Sequence, residues 1–405
     1  MMKRRDFLKL SAAMPVFLAP PVVVSLTGRA LAARGRWDRT LILLEFNGGN
    51  DGINTIVPYA DPTYYEIRPR IAVPRDNVIQ IDEKLGFNPN LEPLLPLWKA
   101  GDMAVTLGVG YPDPNLSHFR GIDIWDTASD SDVILEEGWV SRLFHESRPS
   151  SDFATEGVVL GRNSVGPLLG GKARTLSLNR KPDKFIKQAG RMTPGPRIRS
   201  SGALAHLIKQ RQDLRTAADH IIARQIENVD AGAAFPDTQL GDQFRLVARF
   251  LAAGVKVPFV KLSLGKYDTH VEQEPLHGQL LAEVAGAIAT FADVMKAKGL
   301  WHKVLVMSYS EFGRRPEENN SLGTDHGTSA PHFFFGGKVK GGLYGEQPPL
   351  DDMEDKNLKY SIHFRSLYAT AAREWWGLDA PFIKENPSAL SPNQLCFCPS
   401  RRRGI

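Results

Sequence analysis

The stretch Val304–His332, VLVMSYSEFGRRPEENNSLGTDHGTSAPH, decides which fold the chain can adopt. Val304, Leu305, Val306 and Met307 form the short uninterrupted apolar run predicted for a parallel strand covered on both faces. The run empties into a polar loop that carries Glu311, Arg314, Asp325 and His326 and ends near His332. In open α/β sheets ligands sit just beyond the carboxyl ends of such strands. A loop that sets Asp325 beside His326, between Gly323 and Gly327, is therefore a candidate site whose backbone passes close to something bound. The plainer alternative is an Asp-His-Gly turn with a solvated carboxylate.

The same pattern recurs elsewhere. Thr40–Phe46 reads as a buried strand running into NGGNDG, where Asp51 is the acid and Asn47 and Asn50 add amide groups. Its glycine spacing does not match a phosphate-cradling fingerprint. Asp102–Val109 is the next strand, and the loop Gly110–Gly121 carries Ser117, His118 and Arg120 ahead of a helical stretch Ile122–Ala128. Ser117 either caps that helix or serves as a hydroxyl nucleophile activated by a base or a metal. Phe259–Leu264 exits into GKYDTH, where Asp268 and His270 lie two apart and share a side in extended chain. Helices are predicted over Leu91–Ala100, Leu204–Asn228, Leu240–Ala253, Gln279–Lys298 and Ser361–Trp376, with a short strand at Phe333–Phe335. His277 and His363 read as structural. The fold class is α/β, a mostly parallel central sheet flanked by helices.

The amino terminus, MMKRRDFLKL, has the Arg4-Arg5 pair of a twin-arginine signal, then a weakly apolar run broken by Pro15, Pro20 and Pro21 and a small-residue cleavage pattern at Ala30-Leu31-Ala32. Residues 1–32 are thus expected to be a signal peptide read by the twin-arginine translocation machinery. Residues 33–405 are expected to form one exported, periplasmic domain with no stable membrane span after cleavage. The leader holds five basic residues against Asp6, four of the five net positive charges of the chain. The remainder is nearly neutral and offers no basic, aromatic-interleaved motif for nucleic acid. Arg180–Arg199 reads as a basic connector or cap, and Cys396 and Cys398 as incidental.

Carboxylates and imidazoles with one hydroxyl suit hard or borderline divalent ions: zinc, manganese, magnesium or calcium. One or two such ions can polarise an ester oxygen and activate a serine. NGGNDGINTIVPY, SHFRGIDIWDTA, KYDTHVEQ, SEFGRR and GTDHGTSAPHFFFGGKVKGG, together with the leader, resemble the domain-of-unknown-function 1501 family. That family looks like a branch of the alkaline phosphatase and sulfatase superfamily. The resemblance implies an alkaline-phosphatase-like fold and a hydrolase of phosphate, sulfate or related esters. It makes Asp325 and His326 the superfamily's Asp-His pair, and Asp268 and His270 its earlier Asp and His. Asp51 takes the place of the first aspartate and His332 that of a possible last histidine, with Ser117 as nucleophile beside His118. Asn47, Asn50, Arg120, Glu311 and Arg314 would meet an anionic ester or cell-surface substrate. The alternative is a non-catalytic periplasmic binding or assembly protein on the same scaffold.

Overall fold

The computed structural model describes residues 35–383 apart from 150–152, 154, 163, 172, 179–190, 192–211, 213, 214 and 220–231. The leader, Cys396, Cys398, nearly all of the basic connector and most of the expected helix from Leu204 lie outside the described residues.

The main sheet has nine strands: β1 Thr40–Phe46, β2 Met103–Gly110, β3 Gly157–Leu160, β4 Thr175–Leu178, β5 Phe259–Leu264, β6 Val304–Tyr309, β7 Ala330–Phe335, β8 Gly342–Tyr344 and β9 Ile362–His363. Their order is β8-β2-β7-β6-β1-β5-β3-β4, with β9 also beside β2. β1 sits between β5 and β6 in parallel register, Leu43 opposite Lys261 on one side and Met307 on the other. β7 alone is antiparallel to both its neighbours, β6 and β2. The sheet is otherwise parallel, so β1, β2, β5 and β6 all end at one rim, and the segment between β6 and β7 leaves and returns at that rim.

All seven residues of β1 are buried because helices cover both faces. On one face Ile42, Leu44 and Phe46 pack with α3 Gln239–Ala252 and α4 Gln273–Ala297, whose Leu281, Val284, Ile288, Phe291 and Met295 form its apolar stripe. On the other, Leu41 and Leu43 meet α1 His118–Thr127, α2 Trp139–Glu146 and α5 Phe364–Thr370, which runs on into a wider π-type turn over Ala371–Trp376. The far end of α1 is tied down by charge. Asp126 accepts from the Tyr309 hydroxyl at 2.9 Å and lies 3.7 Å from the buried Lys261 ammonium, which also pairs with Glu45 at 3.3 Å. Burial pushes the Asp126 carboxyl up to about 6 despite Lys261.

Four boundaries differ from expectation for identifiable reasons. α1 begins at His118 rather than Ile122, because its first turn puts no apolar side chain into the core: Phe119 is exposed and His118 stands at the sheet rim. α4 begins at Gln273, six residues early, with Pro275 in its first turn, where the missing N–H costs nothing. Ile362–His363 pairs with β2 instead of opening the last helix. β7 begins at Ala330, so Pro331 and His332 are strand residues; His332 stands opposite Thr106 inside the sheet and its ring packs 5.0 Å from Trp125.

His332 is thus core, not site: neither of its ring nitrogens has a partner among the described residues. Burial alone holds its imidazole down to about 3, whereas an unfolded histidine titrates near 6.5. The unfolded chain therefore binds the extra proton, and this residue's contribution to stability is present above about pH 6.5 and is lost as pH falls toward 3. We expect His332→Gln to flatten the slope of unfolding free energy against pH, between pH 6 and 4, by up to ~1.4 kcal/mol per pH unit. Urea titrations at stepped pH measure it, and an unchanged slope refutes the assignment.

A candidate metal centre at the sheet rim

The segment between β6 and β7 is held in shape by backbone pairing of its two limbs. Gly313 N donates to Thr328 O at 3.2 Å, Arg315 N to Asp325 O at 3.0 Å and Gly327 N to Gly313 O at 2.9 Å. Gly323 lies so close to the backbone of His270 that a Cβ there would collide with it. This segment is thereby fixed against the loop that follows β5. Gly48, at φ +122°, packs in the same manner against the backbone of Asp268, which brings the loop after β1 to the same place.

Arg314 joins the three. Its side chain is fully buried, and its Nε donates to Gly49 O at 2.9 Å, Nη1 to Thr324 O at 2.9 Å and Nη2 to Tyr267 O at 3.0 Å and also to Gly48 O. Nη2 further donates to Asp268 Oδ1 at 2.6 Å. A planar guanidinium with five N–H groups can serve several acceptors at once, which a lysine cannot.

Around Asp268 stand three imidazoles. His118 Nε2 is 3.3 Å from Asp268 Oδ2, and His270 Nε2 and His326 Nε2 are 3.0 and 3.1 Å from Oδ1. Each ring is held from behind by an acceptor: His118 Nδ1 by Glu311 Oε1 at 2.9 Å, His326 Nδ1 by Leu116 O at 2.8 Å and His270 Nδ1 by Asp325 Oδ1 at 3.3 Å. Carboxylates and carbonyls only accept, so each ring can carry a proton on Nδ1, while its Nε2, facing the Asp268 carboxylate, calls for a second proton or a bound cation. Two of those nitrogens, His270 Nε2 and His326 Nε2, are 3.0 Å apart. Bare imidazole nitrogens at that separation repel unless a proton or a cation lies with them.

The electrostatics agree with a cation. Partial burial opposes ionisation of Asp268, but hydrogen bonds from Arg314 and His326 hold its carboxyl well below the usual range. Burial pushes His326 down, against the bonds to Asp268 and Leu116, whereas the Glu311 hydrogen bond raises His118. Asp325, opposed by its slight burial, is lowered by Asn319 and His270. The donor atoms of His118, Asp268 and His326 all lie within 4.8 Å of one another. Imidazole nitrogens with one carboxylate, backed on the far ring nitrogens by a carboxylate at His118 and a backbone carbonyl at His326, form a donor set that zinc and its neighbours accept.

Among the described residues a second ion finds no such set. Asp51 is fully buried against Arg68 at 2.6 Å, accepts from Gln273, and caps the helical turn Gly52–Thr55 through Asn54 N at 3.3 Å. His332 lies inside the core, and on the side of Asp268 toward the β1 loop stands the Arg314 guanidinium. Asp325 contacts His270 rather than the central carboxylate.

The expected substrate residues are engaged within the protein. Glu311 Oε1 accepts from Gly48 N at 2.8 Å and Asn47 Nδ2 at 3.3 Å as well as from His118. Asn50 exchanges bonds with Thr55 and His277. Arg120 pairs with Asp123 and clamps the carbonyls of Asp130, Ser131 and Val133. Ser117 is exposed at the first position before α1, and its hydroxyl makes no capping bond. Two functional features escaped the sequence reading. One is His118 as a member of the histidine cluster, hidden because α1 was placed too late. The other is Arg315, whose charge acts on Asp325.

Arg314→Met strips a donor from four buried carbonyls and from Asp268. We expect a loss of about 3 kcal/mol or more in urea unfolding, because buried carbonyls left without a donor cost about 1–3 kcal/mol each. Arg315→Met, at a half-exposed position, is expected to cost under ~1 kcal/mol; equal effects would remove Arg314 from its central role.

Comparison with known proteins places these findings. No curated protein matches the sequence. Among solved structures, the lipoteichoic acid synthase LtaP from Listeria monocytogenes is similar over 88% of this chain and 76% of its own, at 10% identity and a TM-score of 0.39. The PsFucS1 sulfatase from Pseudoalteromonas sp. is similar over 89% and 72%, at 11% identity and 0.38. A protein in the alkaline phosphatase superfamily from Vibrio parahaemolyticus is similar over 86% and 69%, at 12% identity and 0.36. At such identities the chemistry of the centre stands on its own geometry. The sequence profile of the family described as a protein of unknown function, DUF1501, matches residues 110–380. Spanning two thirds of the chain, that match covers α1, the histidine cluster and the return strand, and the protein belongs to the DUF1501 family.

Proposed function

We propose that this protein is an exported hydrolase of phosphate, sulfate or related esters that works with one divalent cation. The cation would be held by His118, Asp268 and His326, with His270 beside them. The observation that carries this reading is the convergence of three histidine Nε2 atoms on Asp268, each ring fixed from behind by an acceptor.

A bound divalent ion would supply Lewis-acid polarisation of the ester oxygen. The remaining work falls to the chain. Ser117 Oγ, exposed and free of a capping bond, attacks the phosphorus or sulfur and releases its proton to water. The bond to the leaving oxygen breaks, and the alcohol departs with a proton from solvent. Water then cleaves the ester left on Ser117 and regenerates the hydroxyl. Arg315, beside the centre and not tied up as Arg120 and Arg314 are, neutralises the non-bridging oxygens of the substrate. Two arginines stand against the carboxylates of Asp268, Glu311 and Asp325, so a divalent ion turns the local charge positive, as an anionic ester requires.

Export rests on the twin-arginine leader; in addition, no helix of the described residues is long and apolar enough to cross a membrane.

Elemental analysis of the mature protein, reconstituted with zinc, manganese, magnesium or calcium, is expected to give one ion per chain. Asp268→Asn and His118→Ala should each lose it, and Ser117→Ala should keep it. With aryl phosphate and aryl sulfate esters, Ser117→Ala should lower turnover by at least a hundredfold. Bound metal with no turnover of either ester defeats the catalytic reading and leaves the binding-protein alternative, and no bound metal defeats the centre itself.

A further inference from the structure

Two cavities of about 1130 Å³ and about 450 Å³ lie end to end beside the centre, sharing Tyr111, Pro112, Asp113 and His363 in their walls. The larger is walled in part by residues that hold the centre from behind. It is lined by Leu116, whose carbonyl holds His326 Nδ1, and by Arg315, whose N–H holds the Asp325 carbonyl. Its volume alone exceeds that of sites for single small molecules, ~300–1,000 Å³, and a ligand reaching from the ester centre through both must have several units.

One nearly buried group in the walls has a donor left unpaired among the described residues. His363, 4% exposed, accepts from Arg365 N at its Nδ1 at 3.2 Å. That bond puts its ring proton on Nε2, in a ring that burial keeps neutral, with a pKa near 4. The wall therefore offers a neutral donor at His363 beside the acceptor carboxylates of Asp113, Glu354 and Asp355.

Phosphate-like groups only accept and would face Asp113, Glu354 and Asp355 in the wall, where the cation Arg315 is the one that meets the ester itself and Lys359 and Arg365 are engaged with Asp352 and Asp130. Ammonium groups only donate and would leave His363 unmet. A hydroxyl does both. The half-buried ring of Tyr360 adds an aromatic face, whose negative quadrupole attracts the C–H faces of a sugar ring. Resting on the ester-hydrolase reading of the centre, we infer that this trench binds an uncharged, hydroxyl-rich saccharide chain, which carries the ester to the centre.

Affinity electrophoresis of the mature protein through gels containing dextran, pullulan, laminarin, galactomannan or hydroxyethylcellulose tests it, with alginate gels and anionic phosphatidylglycerol vesicles as the other ligand classes. At least one neutral polysaccharide should retard the wild type. Tyr360→Ala, at the half-exposed wall, and Asp113→Gly, which keeps the left-handed backbone there, should each weaken that binding at least tenfold with the metal content unchanged. Retardation by none of the neutral polymers, binding to alginate or vesicles alone, or wild-type retardation by both variants overturns the inference. The two readings fail separately: an ion without polysaccharide binding removes the trench and leaves the centre, and polysaccharide binding without an ion removes the centre.

Discussion

Everything at the rim depends on one buried guanidinium. Arg314 collects carbonyls from the loop after β1, from the loop after β5 and from its own segment, together with the Asp268 carboxylate. Chain turns at a strand end leave backbone oxygens pointing into the protein, and buried oxygens without donors are costly. The positive charge of Arg314 satisfies them together and fixes the ionisation and direction of Asp268. A metal ion at the same place would do the same task with the same kinds of ligand, so the arginine acts as a built-in cation. The three histidines stand on the other side of the aspartate, where the proposed single ion would sit.

Much of the architecture was legible before any coordinates. Thr40–Phe46, Phe259–Leu264 and Val304–Met307 read as buried parallel strands because helices on both faces demand continuous apolar side chains, a pattern that survives in one dimension. The exits of these strands pointed to Asp268, His270, Asp325 and His326, and these four meet at one place. The direction of β7 was not legible, because parallel and antiparallel strands share the same alternation. Pro331 and His332 interrupt its apolar run, and His332 therefore looked like a loop residue when it is a strand residue pressed against Trp125.

The misplacement of Asp51 and the arginines has another cause. A carboxylate in NGGNDG looks the same in sequence whether it meets an ion or a guanidinium, and its partner Arg68 lies in a stretch with no motif of its own. Arg120 and Arg314 carry the charge a substrate anion needs, yet each is spent on backbone carbonyls. Only the geometry separates arginines that organise the protein from Arg315, which faces the large cavity. His118 is the reverse case: a polar residue in a helical first turn gives no periodic signal, and its role emerges only from the approach of Glu311 and Asp268.

The contacts that build the centre join residues far apart along the chain: Gly48 to Glu311 across 263 positions, and His118 to Glu311 across 193. Bringing such distant segments together is entropically late in folding, after the local helices and the sheet are in place. The ligand atoms are consequently scattered through most of the folding reaction and converge only at its end. An ion recruited here cannot serve as a nucleus for the chain; it arrives at a finished protein, and its binding energy adds to a fold that already exists.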